Sequence, residues 1–577
     1  MVERATYGRK IGWETLLVAV LVVMTFVPFL GENLYSTKGE PREAVIAVSM
    51  LNSGNWVLPV TFGAEIPYKP PMLAWCIALL GWLNGGVVTE FLSRLPSALA
   101  AVVMLLVGFR LFARYASVNR AVAMALITAG CFEFFRNGTI CRVDMLVTMF
   151  IVTALYAFFR QSARHPEGTW MPSIWAVLLM SGGVLTKGPV GMLLPCMVVF
   201  VYRLVRGNNF WKTVVSVGVS AVLSLILPAM WYFAAYNQGG EEFLRLAVEE
   251  NFGRFTGTMS YESHENPAWY NLLTLAYGCA PYTLILLMSI PFLPWKRAVA
   301  YLSGGRSLFS RFWGWLRGLE PITLFSLLAA VLIFAFYCIP KSKRSVYLLP
   351  VYPFVAYFIT LFVSWLLLRF PRLVKTWCWI ICVVGFVASG VVLAAMFGWI
   401  PVVRDDSMQS TMAYLRMQPG RFWPVVFCLV GFLGAFGLGR ELVCSRARAG
   451  FGWCMAYVLA LYWMASCAVL PAAMNVKSDK PLAEQIETAV GVDAPVYSWR
   501  PDAMWRYYTI NYYMNDRLCL FDVEKPVSGY LVVGDEDFPM LRDNVAHDYV
   551  FSEVLTTDRS SSESGQRLKL LKFVLKK

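Results

Sequence analysis

Several charged side chains stand beside long apolar segments, where their types and spacing suit the handling of a phosphate. Lys69 lies in Pro-Tyr-Lys-Pro-Pro, Lys187 lies in Leu-Thr-Lys-Gly-Pro, and the turn 340–345 carries three cations. Ionisable residues at a membrane edge are costly to place there and are functional candidates by default. Fixed Lys and Arg side chains stabilise the negative charge that grows on a departing phosphate in a poorly hydrated site. These residues therefore indicate displacement of a lipid phosphate.

Cations and carboxylates would take different parts in such a displacement. An incoming hydroxyl needs a carboxylate as general base, and the carboxylates at helix edges are Glu40 and Asp144. Purely structural alternatives stay open. Asp144 caps the helix that it starts, which would stabilise that helix by about 1 kcal/mol, and Arg142 and Arg344 extend to lipid headgroups. The candidate phosphate-binding cations are Arg42, Lys69, Arg254, Lys341, Lys343 and Arg344, and the further site candidates are Glu43, Tyr68, Lys187, His264 and Tyr347.

The composition places these residues in a membrane protein. Hydrophobic residues make up 58% of the 577-residue chain and charged residues 15%, whereas soluble proteins average about 25% charged residues. Apolar runs of about 20 residues match the hydrocarbon layer, and a backbone that crosses this layer must satisfy its polar groups within a helix. We therefore predict a mostly α-helical, polytopic protein with about thirteen spanning helices, at residues 12–30, 91–113, 118–135, 144–160, 172–186, 188–204, 213–236, 270–293, 320–339, 346–368, 376–399, 422–439 and 452–471.

The net charge of +14 is distributed as in a membrane protein, which argues against nucleic acid as a partner. Lys and Arg collect in alternate short loops, and by the positive-inside rule these loops face the cytoplasm. The amino terminus is then inside, and thirteen spans place the C-terminal end outside. Most candidate residues fall in or beside the outer loops 31–90 and 237–268. Two pieces of the first loop, 41–53 and 71–83, are too short to span and are predicted to lie at the interface.

The composition changes to mixed polar after residue 475. A helix near 481–489 precedes five short β-like runs, at 495–499, 517–521, 529–533, 549–554 and 568–574. About 100 residues is a normal domain size. We therefore predict a membrane domain over residues 1–475 and a small α/β domain on the outer side over residues 476–577.

Short motifs of a known family recur along most of the chain. They begin at Gly39 (Gly-Glu-Pro-Arg-Glu-Ala), Asn52 (Asn-Ser-Gly-Asn-Trp-Val-Leu-Pro), Tyr68 (Tyr-Lys-Pro-Pro), Val143 (Val-Asp-Met), Leu185 (Leu-Thr-Lys-Gly-Pro), Glu250 (Glu-Asn-Phe-Gly-Arg-Phe), His264, Pro267 (Pro-Ala-Trp-Tyr) and Lys341 (Lys-Ser-Lys-Arg-Ser-Val-Tyr-Leu-Leu-Pro). Each motif alone is weak, whereas their combined order and spacing are specific. With them the chain resembles the 4-amino-4-deoxy-L-arabinose lipid A transferases and, more distantly, the protein O-mannosyltransferases. The resemblance implies a GT-C-type helical bundle followed by a small periplasmic α/β domain.

The resemblance implies how the donor phosphate is held. Lys69 matches a lysine that contacts this phosphate, and Arg254 and the turn Lys341–Arg344 would help to neutralise it. In the arabinose transferases a glutamate before that lysine and a loop histidine hold a metal ion. Here Tyr68 replaces the glutamate while His264 remains, and tyrosine is a poor zinc ligand beside carboxylate or imidazole. We therefore expect no conserved metal site, with His264 as the single candidate ligand.

The resemblance also assigns the carboxylates. Asp144 matches the second acidic residue of the family, whereas the first-loop Asp-Glu pair of the family matches Gly39 and Glu40. The family's aspartate is therefore absent from this chain. We expect Glu40 to take over its work, with Glu43 as the less favoured substitute.

These observations predict a hexosyl- or pentosyltransferase that uses an undecaprenyl-phosphate-linked sugar on the periplasmic side of a bacterial inner membrane. Its acceptor is lipid A, another glycan or a protein. Two alternatives stay open: a transporter or flippase of lipid-linked sugars, and a non-catalytic relative that binds lipid. A transporter should show internal repeats and broken helices at the midplane. The sequence has no repeat of fixed period, and the candidate charges lie at the outer edge.

The topology is open to a direct test. Because Lys and Arg are concentrated in alternate loops, we expect residues 295–319 in the cytoplasm and the C-terminal domain in the periplasm. Reporter fusions at residue 305 and after residue 476 should therefore report opposite sides of the membrane. If both reporters lie on the same side, the thirteen-helix count is wrong.

Overall fold

Helices occupy most of the chain before residue 490. The computed structural model describes residues 12–253, 265–295, 308–401, 406–417, 421–444, 447–491, 494–501, 506–545 and 548–576. Two site candidates, Arg254 and His264, and part of the predicted cytoplasmic loop, 296–307, lie outside the described residues.

The helices divide into those before and after the second outer loop. The first are α1 (Trp13–Phe26), α2 (Gly39–Ser53), α3 (Met72–Leu83), α4 (Glu90–Tyr115), α5 (Val118–Gly130), α6 (Phe132–Gly138), α7 (Val143–Arg164), α8 (Ile174–Lys187), α9 (Val190–Val205), α10 (Phe210–Ser224) and α11 (Ile226–Val248), which a π-helix (Glu249–Gly253) extends. The second are α12 (Trp269–Gly278), α13 (Tyr282–Ser289), α14 (Leu308–Gly318), α15 (Pro321–Cys338), α16 (Tyr352–Arg369), α17 (Pro371–Met396), α18 (Asp406–Met417), α19 (Phe422–Val443), α20 (Ala447–Met464), α21 (Leu470–Met474) and α22 (Lys480–Val490). Short 3₁₀ and π turns join some of them, at Ile290–Phe292, Ser345–Val351, Ala465–Val469 and Asn475–Lys477.

Single residues mark where several of these helices begin or end. The side chains of Thr89, Ser117, Ser173 and Asn209 each accept a hydrogen bond from the backbone N–H three residues later, at the starts of α4, α5, α8 and α10. Such caps satisfy backbone donors that have no partner within the helix. Helix α2 stops at Gly54, whose φ of 69° is a left-handed conformation that favours glycine. These boundaries are therefore encoded locally.

The multi-pass helical architecture is confirmed. Within the described residues, eight helical stretches are long and apolar enough to cross a membrane, or ten if each of two bent helix pairs forms one span. The thirteen predicted spans correspond to these eight stretches, the two bent pairs and the shorter apolar helices α1, α8 and α9. The count of thirteen itself stays a prediction. Helix α7 is the most buried of the eight, and it packs against α4, α8 and α9.

Two segments predicted as single helices, 118–135 and 270–293, are broken in the structure. Helices α5 and α6 meet at 71°, and α12 meets the stretch 282–292 at 111°. Pro281 explains the second break, because proline has no N–H to continue a helix. The two bends touch, since the N–H of Phe132 donates to the carbonyl of Ala280 at 3.0 Å. Each bend thus satisfies a backbone group of the other.

The first outer loop contains the two short helices that the sequence predicts. Helix α2 corresponds to the predicted piece 41–53 and α3 to the piece 71–83. Between them lies a tight turn at residues 61–65, followed by Pro67, Pro70 and Pro71. This loop is the part of the chain that carries Lys69.

A small α/β unit follows the last membrane helices, as the change in composition predicts. Its elements are β1 (Val496–Ser498), α23 (Tyr508–Tyr513), β2 (Leu518–Leu520), α24 (Phe521–Glu524), β3 (Ser528–Gly534), α25 (Phe538–Val545), β4 (Tyr549–Ser560) and β5 (Arg567–Leu575). The strands form one mixed sheet in the order β2-β1-β3-β5-β4, with β1 parallel to β2 and β3, and β5 antiparallel to β3 and β4. The five predicted strands are thus confirmed. Their periplasmic location stays a prediction.

Helices α8 and α9 pack with their backbones in contact. A Cβ built on Gly191 in α9 would lie 2.3 Å from the carbonyl carbon of Gly183 in α8. The obstacle is backbone, which cannot rotate away as a side chain can. This contact places the end of α8, where Lys187 stands, against the start of α9.

We predict that Gly191→Ala destabilises the protein. The added methyl group forces α8 and α9 apart, and overpacking of this kind costs about 1–3 kcal/mol. Thermal unfolding of the detergent-purified chain measures the effect as a lower melting temperature. Gly218→Ala in α10 is the matched control, because its Cβ would meet no atom within 4 Å. Equal melting temperatures for the two variants would contradict the close packing.

Candidate active site

Side chains from α2 and from the loop after it form a buried ion-paired cluster. Glu43 is 6% exposed, and its Oε1 accepts hydrogen bonds from Arg42 Nη2 at 3.1 Å and from Lys69 Nζ. The centre of the Tyr68 ring lies 5.7 Å from Arg42 Cζ and 5.7 Å from Lys69 Nζ, within cation–π range. Four residues singled out in the sequence are therefore brought together here.

Burial and charge set the protonation of this cluster. Burial raises the pKa of the Glu43 carboxyl, but Lys69 and Arg42 outweigh burial and bring that pKa to about 2. Burial and the charge of Arg42 lower the pKa of Lys69 to about 8, against the opposing effect of Glu43 and Glu250. At neutral pH Glu43 is therefore ionised, and Lys69 holds a proton that it loses just above neutrality.

Glu40 belongs to a separate network one turn earlier on α2. Its carboxylate accepts two hydrogen bonds from Arg94 of α4, at 2.7 and 3.0 Å, and one from the backbone N–H of Cys141 at 2.8 Å. Arg94 is 2% exposed and also donates to the carbonyls of Leu30 and Asn33. Glu40 thus joins α2 to α4 and to the segment before α7. The carboxylate beside Lys69 is that of Glu43.

Asp144 lies at the start of α7 and pairs with the lysine at the end of α8. Its Oδ1 accepts a hydrogen bond from Lys187 Nζ, and the carboxylate is 6% exposed. Lys187 Nζ also lies 4.4 Å from the centre of the Tyr347 ring, which stacks on Tyr337 with 5.5 Å between ring centres. A cation over an aromatic face is stabilised by the ring quadrupole. Three predicted site residues, Asp144, Lys187 and Tyr347, therefore meet in one place.

A cavity of about 410 Å³ opens beside both lysines. Its charged lining residues are Lys69, Lys187 and Glu250, and its apolar wall includes Val190 and Leu193 of α9 and Phe336 of α15. The volume lies within the usual range for small-molecule pockets, roughly 300–1,000 Å³, and a mostly apolar lining with a few convergent polar groups is typical of them. The arrangement suits a ligand with an apolar part and an anionic head.

The three cations of the basic turn before Tyr347 differ in exposure and in hydrogen bonding, whereas the sequence predicts that all three bind phosphate. Lys343 is buried and donates to the backbone carbonyl of Pro340 at 2.6 Å, whereas Lys341 is exposed and Arg344 is half-buried. Ser342, between two of these cations, lines the cavity. The turn therefore borders the cavity, and the ammonium group of Lys343 is hydrogen-bonded to the backbone of the turn itself.

The residues around Tyr68 do not fit a divalent metal. Its ring lies between the cations of Arg42 and Lys69, which would repel such an ion. Within the described residues no group of three His, Cys, Asp or Glu side chains is close enough to hold a metal. The remaining candidate ligand, His264, lies outside the described part of the chain.

Sequence reasoning missed Glu250 and Asn251 as residues of the cavity. Both line it from the π-helix that extends α11. Asn251 approaches closely because residue 188 is glycine with a φ of 76°: a Cβ there would lie 2.0 Å from Asn251 Oδ1. The motif Glu-Asn-Phe-Gly-Arg-Phe, which also carries the candidate Arg254, contains both residues.

Arg142 occupies the space that the missing side chain at position 39 leaves open. A Cβ built on Gly39 would lie 1.8 Å from Arg142 Nη2 and 2.6 Å from Arg142 Cζ. The guanidinium is close enough to act electrostatically on the carboxylates of Glu40 and Asp144. The side chain of Arg142 therefore points into the protein, and the alternative that it extends to lipid headgroups is wrong.

Comparisons with known proteins agree with this architecture. Residues 68–232 match the family model described as dolichyl-phosphate-mannose-protein mannosyltransferase. An uncharacterised protein of Aquifex aeolicus is 29% identical over 344 residues, which cover 59% of this chain and 62% of that protein. The undecaprenyl phosphate-alpha-4-amino-4-deoxy-L-arabinose arabinosyl transferase of Edwardsiella ictaluri is 30% identical over 345 residues, which cover 59% of this chain and 57% of the transferase. The chain thus spans about three-fifths of the length of these relatives.

A solved structure matches nearly the whole chain. The crystal structure of ArnT from Cupriavidus metallidurans bound to undecaprenyl phosphate has a TM-score of 0.68 and 19% identity, and the match covers 98% of each chain. The same protein in the apo state gives a TM-score of 0.67 with 20% identity. At this level of identity the likeness establishes the fold, and the expected helical membrane bundle followed by a small α/β unit is confirmed. In sequence over about three-fifths of its length, and in fold over nearly all of it, this multi-pass membrane protein is therefore similar to the undecaprenyl phosphate-aminoarabinose arabinosyl transferases.

Proposed function

We propose that the protein is a membrane glycosyltransferase that takes a hexose or pentose from a polyprenyl-phosphate donor. The transfer takes place on the periplasmic side of a bacterial inner membrane, to a lipid, glycan or protein acceptor. The observation that carries the proposal is the cavity with an apolar wall and two lysines, Lys69 and Lys187, among its charged lining residues. A polyprenyl phosphate has the matching chemistry, an apolar chain with an anionic head. The names of the relatives support the same donor class.

Lys69 and Lys187 would bind the donor phosphate. Each already pairs with a carboxylate, Glu43 or Asp144, so a phosphate has to compete for the lysine. Charge-assisted hydrogen bonds in a poorly hydrated site are strong enough for such an exchange. Arg42 lies behind Lys69 and adds positive charge. Lys341 and Arg344, in the turn that borders the cavity, are further candidates, and so is Arg254, which lies outside the described residues.

Asp144 is the candidate general base. In the transfer the bond between the anomeric carbon and the phosphate oxygen breaks, and an acceptor oxygen forms the new bond to that carbon. The acceptor proton passes to the carboxylate, and the polyprenyl phosphate leaves as an anion. A phosphate that draws Lys187 away from Asp144 would leave this carboxylate free to accept the proton. Glu43 can act in the same way beside Lys69, whereas Glu40 is held by Arg94 and is proposed as a positioning residue.

The transfer itself is the test of this proposal. Purified full-length protein in nanodiscs should release undecaprenyl phosphate from an undecaprenyl-phosphate-linked sugar when acceptor is supplied. Mass spectrometry of lipid A and surface glycans from a deletion strain, and from the strain complemented with the gene, should identify the product that is lost and restored. Movement of the lipid-linked sugar across the bilayer with its sugar–phosphate bond intact would instead identify a flippase. Lipid binding without either activity would identify a non-catalytic relative.

We predict that Lys69→Ala weakens binding of the lipid phosphate while leaving the fold intact. Loss of one charged contact costs about 2 kcal/mol, roughly thirty-fold in affinity. Because the pKa of Lys69 is about 8, the wild-type affinity should also fall as the pH rises from 7 to 9 and the lysine loses its charge. Titration with undecaprenyl phosphate at several pH values measures both effects. Lys572→Ala, which removes an exposed lysine of β5, is the control. Unchanged affinity in Lys69→Ala would refute the assignment.

We predict different outcomes for the three carboxylates. Asp144→Asn should lower turnover at saturating donor by about 10²–10⁴-fold, the usual contribution of a general base. Glu40→Gln should instead lower the melting temperature, because it leaves the buried Arg94 without its ionic partner, at a cost of about 3–5 kcal/mol. Glu43→Gln should alter donor affinity through Lys69. Full turnover in both Asp144→Asn and Glu43→Gln would exclude carboxylate catalysis and leave phosphate neutralisation as the main effect.

A further inference from the structure

A turn of the first outer loop is seated in the C-terminal α/β unit. The backbones of Thr61 and Glu65 bond to each other, at 3.0 and 2.7 Å, and Phe62 at the tip is fully buried. Phe62 has a φ of 52°, which bulky residues rarely adopt. Its N–H donates to Asp516 Oδ1 at 3.3 Å, and its carbonyl accepts from the N–H of Leu520 at 3.0 Å. The C-terminal unit thus holds the unusual backbone of this turn in place.

Both oxygens of the Glu65 carboxylate are bound by the same unit. The hydroxyl of Tyr508 donates to Oε1, and Arg500 Nη2 lies 3.2 Å from Oε2. Arg500 Cζ also lies 4.9 Å from the centre of the Phe62 ring, and that ring meets Tyr508 edge-on with 5.2 Å between centres. Tyr508 is 1% exposed. Glu65 is therefore fixed in position and orientation by two residues from the far end of the chain.

A short stiff segment connects Glu65 to the phosphate-binding candidate Lys69. The intervening residues are Ile-Pro-Tyr, and two more prolines follow Lys69. Each proline fixes φ near −65°, so the segment has little conformational freedom. The position of Glu65 therefore restricts the position of Lys69. Side chains on both sides also share one small recess of about 20 Å³, lined by Arg42, Glu43, Glu65, Lys69 and Tyr508. Arg42 and Tyr508 interact electrostatically across it.

We propose that Tyr508 and Arg500 are positioning residues for donor binding. Through Glu65 and the proline-rich segment they hold Lys69, Arg42 and Glu43 in the geometry that receives the lipid phosphate. Affinity for the donor is then coupled to the contact that Tyr508 and Arg500 make with Glu65, although the two residues touch no reacting atom. This role rests on the proposed function of the cavity.

Affinity and turnover separate this role from a purely structural one. The probe is undecaprenyl phosphate itself, titrated against the purified full-length chain in nanodiscs. Tyr508→Phe removes one hydroxyl and Arg500→Gln one charge, and each should weaken binding roughly five- to twenty-fold, as expected for a lost hydrogen bond to a charged group. Turnover at saturating donor should stay close to wild type, because neither residue touches a reacting atom. Arg500→Lys keeps the ion pair to Glu65 and should restore most of the affinity.

A matched control comes from another contact of the same helix. The hydroxyl of Tyr513 accepts from the N–H of Tyr35 at 3.1 Å and donates to Glu90 at 2.8 Å, away from the Glu65 turn. Tyr513→Phe loosens the seating of the unit at that contact and should leave donor affinity unchanged. An equal loss of affinity in Tyr513→Phe, or no loss in Tyr508→Phe and Arg500→Gln, would overturn the positioning role.

Failure of the proposed function gives a different result. If wild-type protein binds no undecaprenyl phosphate, the cavity is not a donor site and the proposal falls with it. If wild-type protein binds and Lys69→Ala does not, the donor site stands, and the Tyr508 and Arg500 variants decide the positioning role alone. Should Tyr508→Phe fail to fold, the comparison of Arg500→Gln with Arg500→Lys decides it.

Discussion

Burying charge next to a membrane is the constraint on which the rest of this structure depends. An unpaired ion removed from water costs several kcal/mol, and three carboxylates in or near the site each face a cation from another element. Glu40 pairs with Arg94, Glu43 with Lys69, and Asp144 with Lys187. These pairs tie α2 to α4, α2 to the loop after it, and α7 to α8. The cavity lies beside the last two of these pairs. The lysines that are candidates for binding a ligand therefore also join the elements that form the wall of the cavity.

This pairing shapes what the site can do with an anion. The carboxylates hold the lysines in position before a ligand binds. A phosphate that binds the lysines must replace the lysine–carboxylate contacts by lysine–phosphate contacts of similar strength. Such an exchange leaves no lysine buried without an anionic partner, because the incoming phosphate replaces the carboxylate. It also alters the carboxylate that is released, whose basicity rises when its cation leaves. In the proposed function, binding of the donor and preparation of the base are therefore one event.

The first-loop glycine changes this charge balance relative to the pattern of the resembling family. Where that pattern has an aspartate, Gly39 leaves room that Arg142 fills with its guanidinium. The guanidinium of Arg142 thus places a positive charge beside Glu40 and Asp144. A side chain at position 39 and the observed placement of Arg142 exclude each other sterically. The two positions therefore have to be considered together when this chain is compared with its relatives.

The sequence by itself determined the helical membrane architecture, the helix starts at residues such as Thr89 and Ser173, and the C-terminal strands. These features depend on local hydropathy, period and capping, which a single chain displays. It also identified Lys69 and Asp144 as site candidates, because charge beside apolar segments is costly. Only the tertiary structure decided that Glu43 rather than Glu40 faces Lys69, and that Tyr508 bonds a residue 443 positions away. The partner of a side chain depends on how remote elements pack, and that information is absent from any local pattern.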